Sequence, residues 1–149
     1  MQTSNPDYHD FVASIFDKAG FIKDLGIELN DVGPGWCETA LTVRGKHLQQ
    51  DGFVHAGVLA TMADHTAGAC TGTVVPAGTL VLTVEFKINF LRPAQTDALR
   101  CRADILKAGK AVIVAESEVY ARHGADEKLV AKAMVTLAVV AGDNRQAGP

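Results

Sequence analysis

The stretch Gly52-Phe53-Val54-His55-Ala56-Gly57, followed by Asp64-His65, strings an imidazole, a glycine and a carboxylate along one short segment. The hydrophobic pattern makes this segment a helix from about His55, so Gly57 falls in its first turn. There the backbone N–H groups have no intrahelical acceptor, and the helix dipole adds partial positive charge. Such a place can bind a carbonyl oxygen that becomes negative during acyl transfer, and a glycine lets a substrate approach the backbone closely. Asp64 lies two turns further along the same face, about 10 Å away by the helical rise. Within one straight helix the two groups cannot act on one carbon. An antiparallel second copy of the helix, from a partner subunit, would bring the carboxylate of one chain to the glycine of the other.

A mid-helix aspartate is often simply exposed, but Asp64 has small, uncharged neighbours. At 100° per residue Val58, Leu59, Met62, Thr66, Ala69 and Cys70 fall on one side of the helix, and Gly57, Ala60, Thr61, Asp64, Gly68 and Thr71 on the other. A solvated face carries Lys, Glu or Arg, whereas this second face carries none. The helix is therefore expected to be covered on both sides, by its own sheet and by a partner or substrate, and an Asp on a packed face is either partnered or functional. His55 either caps and orients the loop or takes part in binding. Asp51, His55, Asp64 and His65 show no recognised metal-ligand spacing, so no metal and no cofactor are expected. Ser117 and the cysteines stand in no nucleophile context, and the G-x-S-x-G elbow is absent.

The elements that must hold this helix can be read on either side of it. Asn5-Pro6-Asp7 starts a helix, with Asn5 as N-cap, that runs over 6–19 and ends near Gly20. Strands are expected over 26–32 and 36–43, split by Gly33-Pro34-Gly35, and a polar loop over 45–52 leads into the central helix. Beyond Pro76-Ala77-Gly78, the residues Leu80, Leu82, Val84, Phe86, Ile88 and Phe90 alternate with polar ones, which predicts a long half-buried strand closed by Pro93. Further strands are expected over 98–107, 111–122 and 129–140, with Gly109 and Gly124 at the turns. Their short connections require antiparallel pairing. One curved antiparallel sheet wrapped around one buried helix covers every apolar face, an α+β architecture over residues 1–141, with 142–149 reading as a flexible tail.

Composition narrows the partners. A net charge of −3 and a pI near 5.9 leave no basic footprint, so nucleic acid is not expected. Three widely spaced cysteines, without C-x-x-C pairing, argue for a reducing compartment. No apolar run is long enough to span a bilayer and the first residues lack signal-peptide order, so the chain reads as cytoplasmic, with no membrane partner.

The string Gly52-x-x-His55-Ala56-Gly57 with Asp64, and the strand Thr-Val-Glu-Phe-Lys-Ile-Asn-Phe-Leu-Arg-Pro over 83–93, resemble the hotdog-fold acyl-CoA thioesterases of the phenylacetyl-CoA type. The likeness covers roughly 25–140. It implies a sheet wrapped round the helix, homodimers joined through edge strands and often paired into homotetramers, and an acyl-CoA site between subunits. By position, Asp64 becomes the nucleophile or general base and the Gly57 N–H the group that polarises the thioester carbonyl. His55 orients the helix-start loop or contacts the thioester, and Thr83 helps place the attacking water. Val54, Ala56 and Thr61 would contact substrate. Arg92, with Arg122 and Lys128 behind it, would hold the CoA phosphates. Two positions depart from the family pattern: Gln49 stands where Asn is common, and Ala56 where Gly is. The alternation also sets Thr83 on the polar face of its strand. Two rival readings are a non-catalytic acyl-CoA-binding domain, for which a buried carboxylate has no use, and a dehydratase or hydratase, whose H-F-P-G or D-x-x-x-x-H strings are missing.

Overall fold

The computed structural model describes residues 1–140; the expected tail over 142–149 lies outside the described residues. The order is α1 (Tyr8–Lys18), α2 (Gly20–Leu25), β1 (Ile27–Gly33), β2 (Trp36–Thr42), a 3-10 turn (Gly45–His47), α3 (Ala56–Thr71), β3 (Leu80–Phe90), β4 (Ala98–Ala108), β5 (Val112–His123) and β6 (Asp126–Val140). The six strands form one sheet in the order β1-β2-β4-β5-β6-β3, with every pair antiparallel. α3 packs on five of the six strands, β2 to β6. This is the hotdog arrangement that the pattern and the resemblance imply.

The helix sits close to the sheet because the residues between them are small. Ala103, Ala115, Ser117 and Ala133 of the sheet, and Ala63 and Ala67 of α3, are all buried. Burying a hydroxyl costs free energy unless it finds a partner, and those here do. Ser117 Oγ donates to the Ala63 carbonyl (2.8 Å), and Thr39 and Thr66 share a hydroxyl–hydroxyl bond of 2.7 Å. Ser117 is thus a strut between sheet and helix. The three cysteines are free and buried. Burial pushes Cys37 and Cys101 up to about 12 and Cys70 up as well, so none supplies a thiolate near neutrality.

Two segments differ from the expected pattern. The N-terminal helix is two helices, broken at Ala19, and α1 begins later than Asn5. The Asn5 side-chain oxygen accepts from the Asp7 N–H (3.1 Å), which makes a turn ahead of α1, and the N-cap is Asp7 without a side-chain bond. Val12 and Phe16 of α1 are buried in the common core, so this helix is built into the fold.

The second difference lies in β3. Thr83 pairs with Leu137 but Glu85 with Thr136, which leaves Val84 as the extra residue of a β-bulge. One added residue exchanges the two faces of a strand. Before the bulge Val81 and Thr83 share the face of Leu137, towards α3. After it, Phe86, Ile88 and Phe90 share the face of Val135, Ala133 and Ala131. The expected half-buried set Leu80 to Phe90 is therefore split. Leu80, Leu82, Val84, Phe86 and Phe90 are exposed, and Ile88 is half-buried. The same bulge turns Thr83 off the polar face and towards the helix.

Candidate active site

α3 presents its two faces as the spacing requires. Val58, Leu59, Met62, Thr66, Ala69 and Cys70 are buried, while Gly57 is exposed and Ala60, Thr61, Asp64 and Gly68 are half-buried; Thr71 alone of the small face is buried. Asp64 projects towards β3, where its Oδ1 accepts from the Thr83 hydroxyl at 2.8 Å. One carboxylate oxygen is thereby fixed by a donor from the neighbouring edge strand. The two line a cleft of about 300 Å3, together with His65, Gly68 and Gly72 of the helix region, Leu80 and Val81 of β3, Leu137 of β6, and Phe11 and Ile15 of α1.

The start of α3 is a separate place. His55 is its N-cap, and its Nδ1 accepts from the Gly57 N–H at 2.8 Å. This differs from the expectation of an unoccupied donor at Gly57. The physical reason is the usual one for a helix start, where an orphan N–H is satisfied by the capping side chain. His55, Ala56 and Gly57 are all exposed. The loop before them is pinned by His47, which is buried. Its Nδ1 accepts from the Arg44 N–H (2.8 Å), its Nε2 meets the Leu25 carbonyl (2.7 Å), and its own carbonyl accepts from the His55 N–H (2.8 Å). Ala56 lines a second cleft with Gln49, Phe53, Val54, Leu59, Phe90 and Arg92.

The remaining candidates are placed as follows. Gln49 does not meet Asp64: its side chain engages Asp51, through a hydrogen bond to Oδ2 (3.5 Å) and a short contact from the Asp51 N–H. Val54 is buried and held by its N–H to the Ala94 carbonyl (2.8 Å), which makes it part of the loop's anchorage. The Thr61 hydroxyl donates back to the Gly57 carbonyl (2.8 Å). Arg92 donates to the Leu129 carbonyl (2.8 Å) and borders a third cleft with His123 and Lys128, whereas Arg122 pairs with Glu127 at 3.4 Å. Among the described residues, no group of three or more His, Cys, Asp or Glu could hold a metal ion.

Two participants were given no role at the site from the sequence. One is α1, whose Phe11 and Ile15 wall the Asp64 cleft. The other is His65, whose Nε2 is buried without a partner and whose ring meets Phe16 edge-on at 4.8 Å. Burial pushes the His65 pKa down from 6.5, against the opposing pull of the Asp64 charge. The folded state thus binds this proton less readily than the unfolded chain. Its contribution to stability is intact above about pH 6.5 and is lost as pH falls through the lowered folded value. Glu118 and Glu127 are also lowered, from 4.5, by their hydrogen bonds with Tyr120 and Arg100 respectively, so their losses begin at more acid pH. We expect the melting temperature to fall as pH is lowered from about 7 to about 5.5, and His65→Gln, which stays neutral, to flatten that slope. Parallel slopes in a thermal-shift titration of the two proteins would contradict this account.

The family model described as the thioesterase superfamily matches residues 51–128. A crystal structure of a thioesterase family protein from Silicibacter pomeroyi superposes with a TM-score of 0.88 at 32% identity, covering 91% of this chain and 99% of that one. A relative from Saccharolobus solfataricus that carries the name of an esterase is 32% identical over 83% of this chain and 86% of its own length. The 1,4-dihydroxy-2-naphthoyl-CoA hydrolase of Listeria monocytogenes is 28% identical, over 80% of this chain and 95% of its own length.

Proposed function

The chain belongs to the thioesterase superfamily, and from that premise we propose that it hydrolyses acyl-CoA thioesters with Asp64 as the catalytic carboxylate. The class of reaction, thioester hydrolysis, follows from the family and from relatives named as thioesterases and CoA hydrolases. The observation that carries the finer reading is the Thr83–Asp64 hydrogen bond at the rim of an apolar cleft. Thr83 holds one carboxylate oxygen, and the other is left to attack the thioester carbonyl or to take a proton from water. Atoms balance in either route: water adds across the C–S bond, the acid leaves with the oxygen, and CoA leaves as the thiol.

The carbonyl oxygen needs a donor where its charge develops. The Gly57 N–H of a second copy supplies it once the exposed His55 imidazole swings aside. Two features support a second copy. β3 is an edge strand with an open ladder and with Leu80, Leu82, Val84, Phe86 and Phe90 exposed. Such an edge invites pairing with another strand, and exposed apolar surface of this kind marks an association site. Pairing β3 with its equivalent in a partner would set two copies of α3 side by side. The cleft at Arg92, His123 and Lys128 contains no acidic residue in a chain of net charge −3. It shares Phe53, Arg92 and Pro93 with the cleft at the helix start, which supports Arg92 in holding the phosphates of CoA, and Lys128 behind it.

The test is steady-state turnover of a panel of acyl-CoAs, followed by release of free thiol. We expect saturable hydrolysis of at least one of them. Tight binding of the whole panel without thiol release would favour a binding domain instead, and hydration of an enoyl-CoA without thiol release would favour a hydratase.

A further inference from the structure

The cleft beside Asp64 has two glycines on its helical wall, and the structure treats them differently. Gly72 is closed off. A Cβ added there would lie 3.1 Å from both the Ala69 carbonyl oxygen and Val12 Cγ2, and 3.3 Å from Phe11 Cδ1, so the end of α3 and the packed α1 together close it. Gly68 is open. Its nearest neighbour, Leu137 Cδ2, would be 4.0 Å from an added Cβ, which is ordinary contact. No positive φ is recorded for Gly68, so its backbone is open to other residues. In the middle of a helix, alanine is the more stable choice at such a position. The space over Gly68 is thus held open without any need within the chain itself.

That space is part of the cleft containing Asp64, Thr83, Leu80, Val81 and Leu137. Measured along the helix it runs from Asp64 past Gly68, one turn on, to Gly72, two turns on, a length of about 12 Å. Asp64 and Thr83 are its polar end. Phe11 and Ile15 of α1, with Val75, make its far end apolar.

We infer that this cleft is the acyl pocket, that Gly68 sets its width, and that Phe11 on α1 sets its depth. The inference rests on the hydrolase reading above and adds the substrate class: a compact, apolar acyl group of ring or medium-chain size, lying along α3. A long fatty acyl chain meets α1 before it is accommodated. The charged end of the substrate stays on the far side of Asp64, where the basic cleft lies in an otherwise acidic chain.

The experiment compares acetyl-, hexanoyl-, phenylacetyl- and palmitoyl-CoA with the parent protein, Gly68→Ala and Phe11→Ala. The parent should prefer hexanoyl- and phenylacetyl-CoA to palmitoyl-CoA. Gly68→Ala places one methyl group in the channel. The ratio of kcat/KM for hexanoyl- over acetyl-CoA should fall by about tenfold or more, while the melting temperature rises by roughly 3 °C. Phe11→Ala should shift preference towards palmitoyl-CoA. If Gly68→Ala leaves the hexanoyl-to-acetyl ratio within about twofold of the parent, a change too small for a lost methylene, the pocket is elsewhere. A parent that hydrolyses none of the panel would overturn the hydrolase reading alone. The pocket is then judged by calorimetric binding of the non-hydrolysable thioethers S-hexyl-CoA and S-methyl-CoA. Tighter binding of the hexyl compound to the parent, lost in Gly68→Ala, supports the pocket, and equal binding of both rejects it.

Discussion

Asp64→Asn is expected to lower kcat for the best acyl-CoA by about 10²–10⁴-fold or more, the contribution of a general base or nucleophile. The substitution keeps size and shape and removes the charge. The Oδ1 that accepts from Thr83 at 2.8 Å has a counterpart in the Asn side chain, so the local geometry should hold. KM should move little, because the cleft walls and the basic surface are untouched. Folding and assembly should also survive, since Asp64 is only half-buried and makes no ion pair among the described residues. Near-normal kcat in a correctly assembled Asp64→Asn protein would mean that the carboxylate does not do the chemistry, and the mechanism would fail although the fold stood. A single turnover in oxygen-18 water bears on its role: label found in the Asp64 carboxylate identifies a nucleophile whose mixed anhydride is opened by water at the aspartyl carbon, because a general base takes up no label.

The central helix could be read closely from the sequence because two constraints agree there. The apolar stripe from Val58 to Cys70 has one partner, the sheet, and the small face cannot be solvated, so the period alone separates buried from open positions. The late strands were legible for a similar reason. β4 and β5 alternate cleanly in burial, and short turns leave antiparallel pairing as the only connection. The bulge in β3 was not legible. Its residues keep an unbroken apolar–polar alternation from Leu82 to Phe90, and a one-residue insertion is a property of the pairing with β6 that the strand's own sequence does not carry. That single feature decides whether Thr83 faces solvent or Asp64, which is why its position conflicted with simple alternation.

At the helix start the limit was different. Spacing places His55 beside Gly57, but both capping and binding satisfy that spacing, and only the 2.8 Å contact distinguishes the resting arrangement. Gln49 and His65 show the same limit in side-chain direction. A residue in a turn can spend its amide locally, as Gln49 does on Asp51. His65 follows the carboxylate in sequence yet turns inward against Phe16, because adjacent helical positions point about 100° apart. The walls contributed by α1 come from a segment more than forty residues away, where the helical stripe of Phe11, Ile15 and Phe16 reports only an apolar face and the structure buries Val12 and Phe16.

The central claim is that each active site combines Asp64 of one chain with the helix start of another. It predicts complementation between two inactive variants. Gly57→Pro removes the proposed donor at a helix position where the N–H lacks an intrahelical acceptor. A new Cβ there meets only the exposed His55 imidazole, whose Nδ1 lies 3.0 Å away. Alone it should lose about 10²–10³-fold in kcat, and Asp64→Asn alone should lose at least as much. Co-expressed with different tags and purified as the mixed dimer, the two should regain about half of the parent activity, because one of the two symmetry-related sites then has both groups intact. Mixed dimers no more active than the two variants assayed separately would contradict the account and place Asp64 and its carbonyl-binding group within one chain.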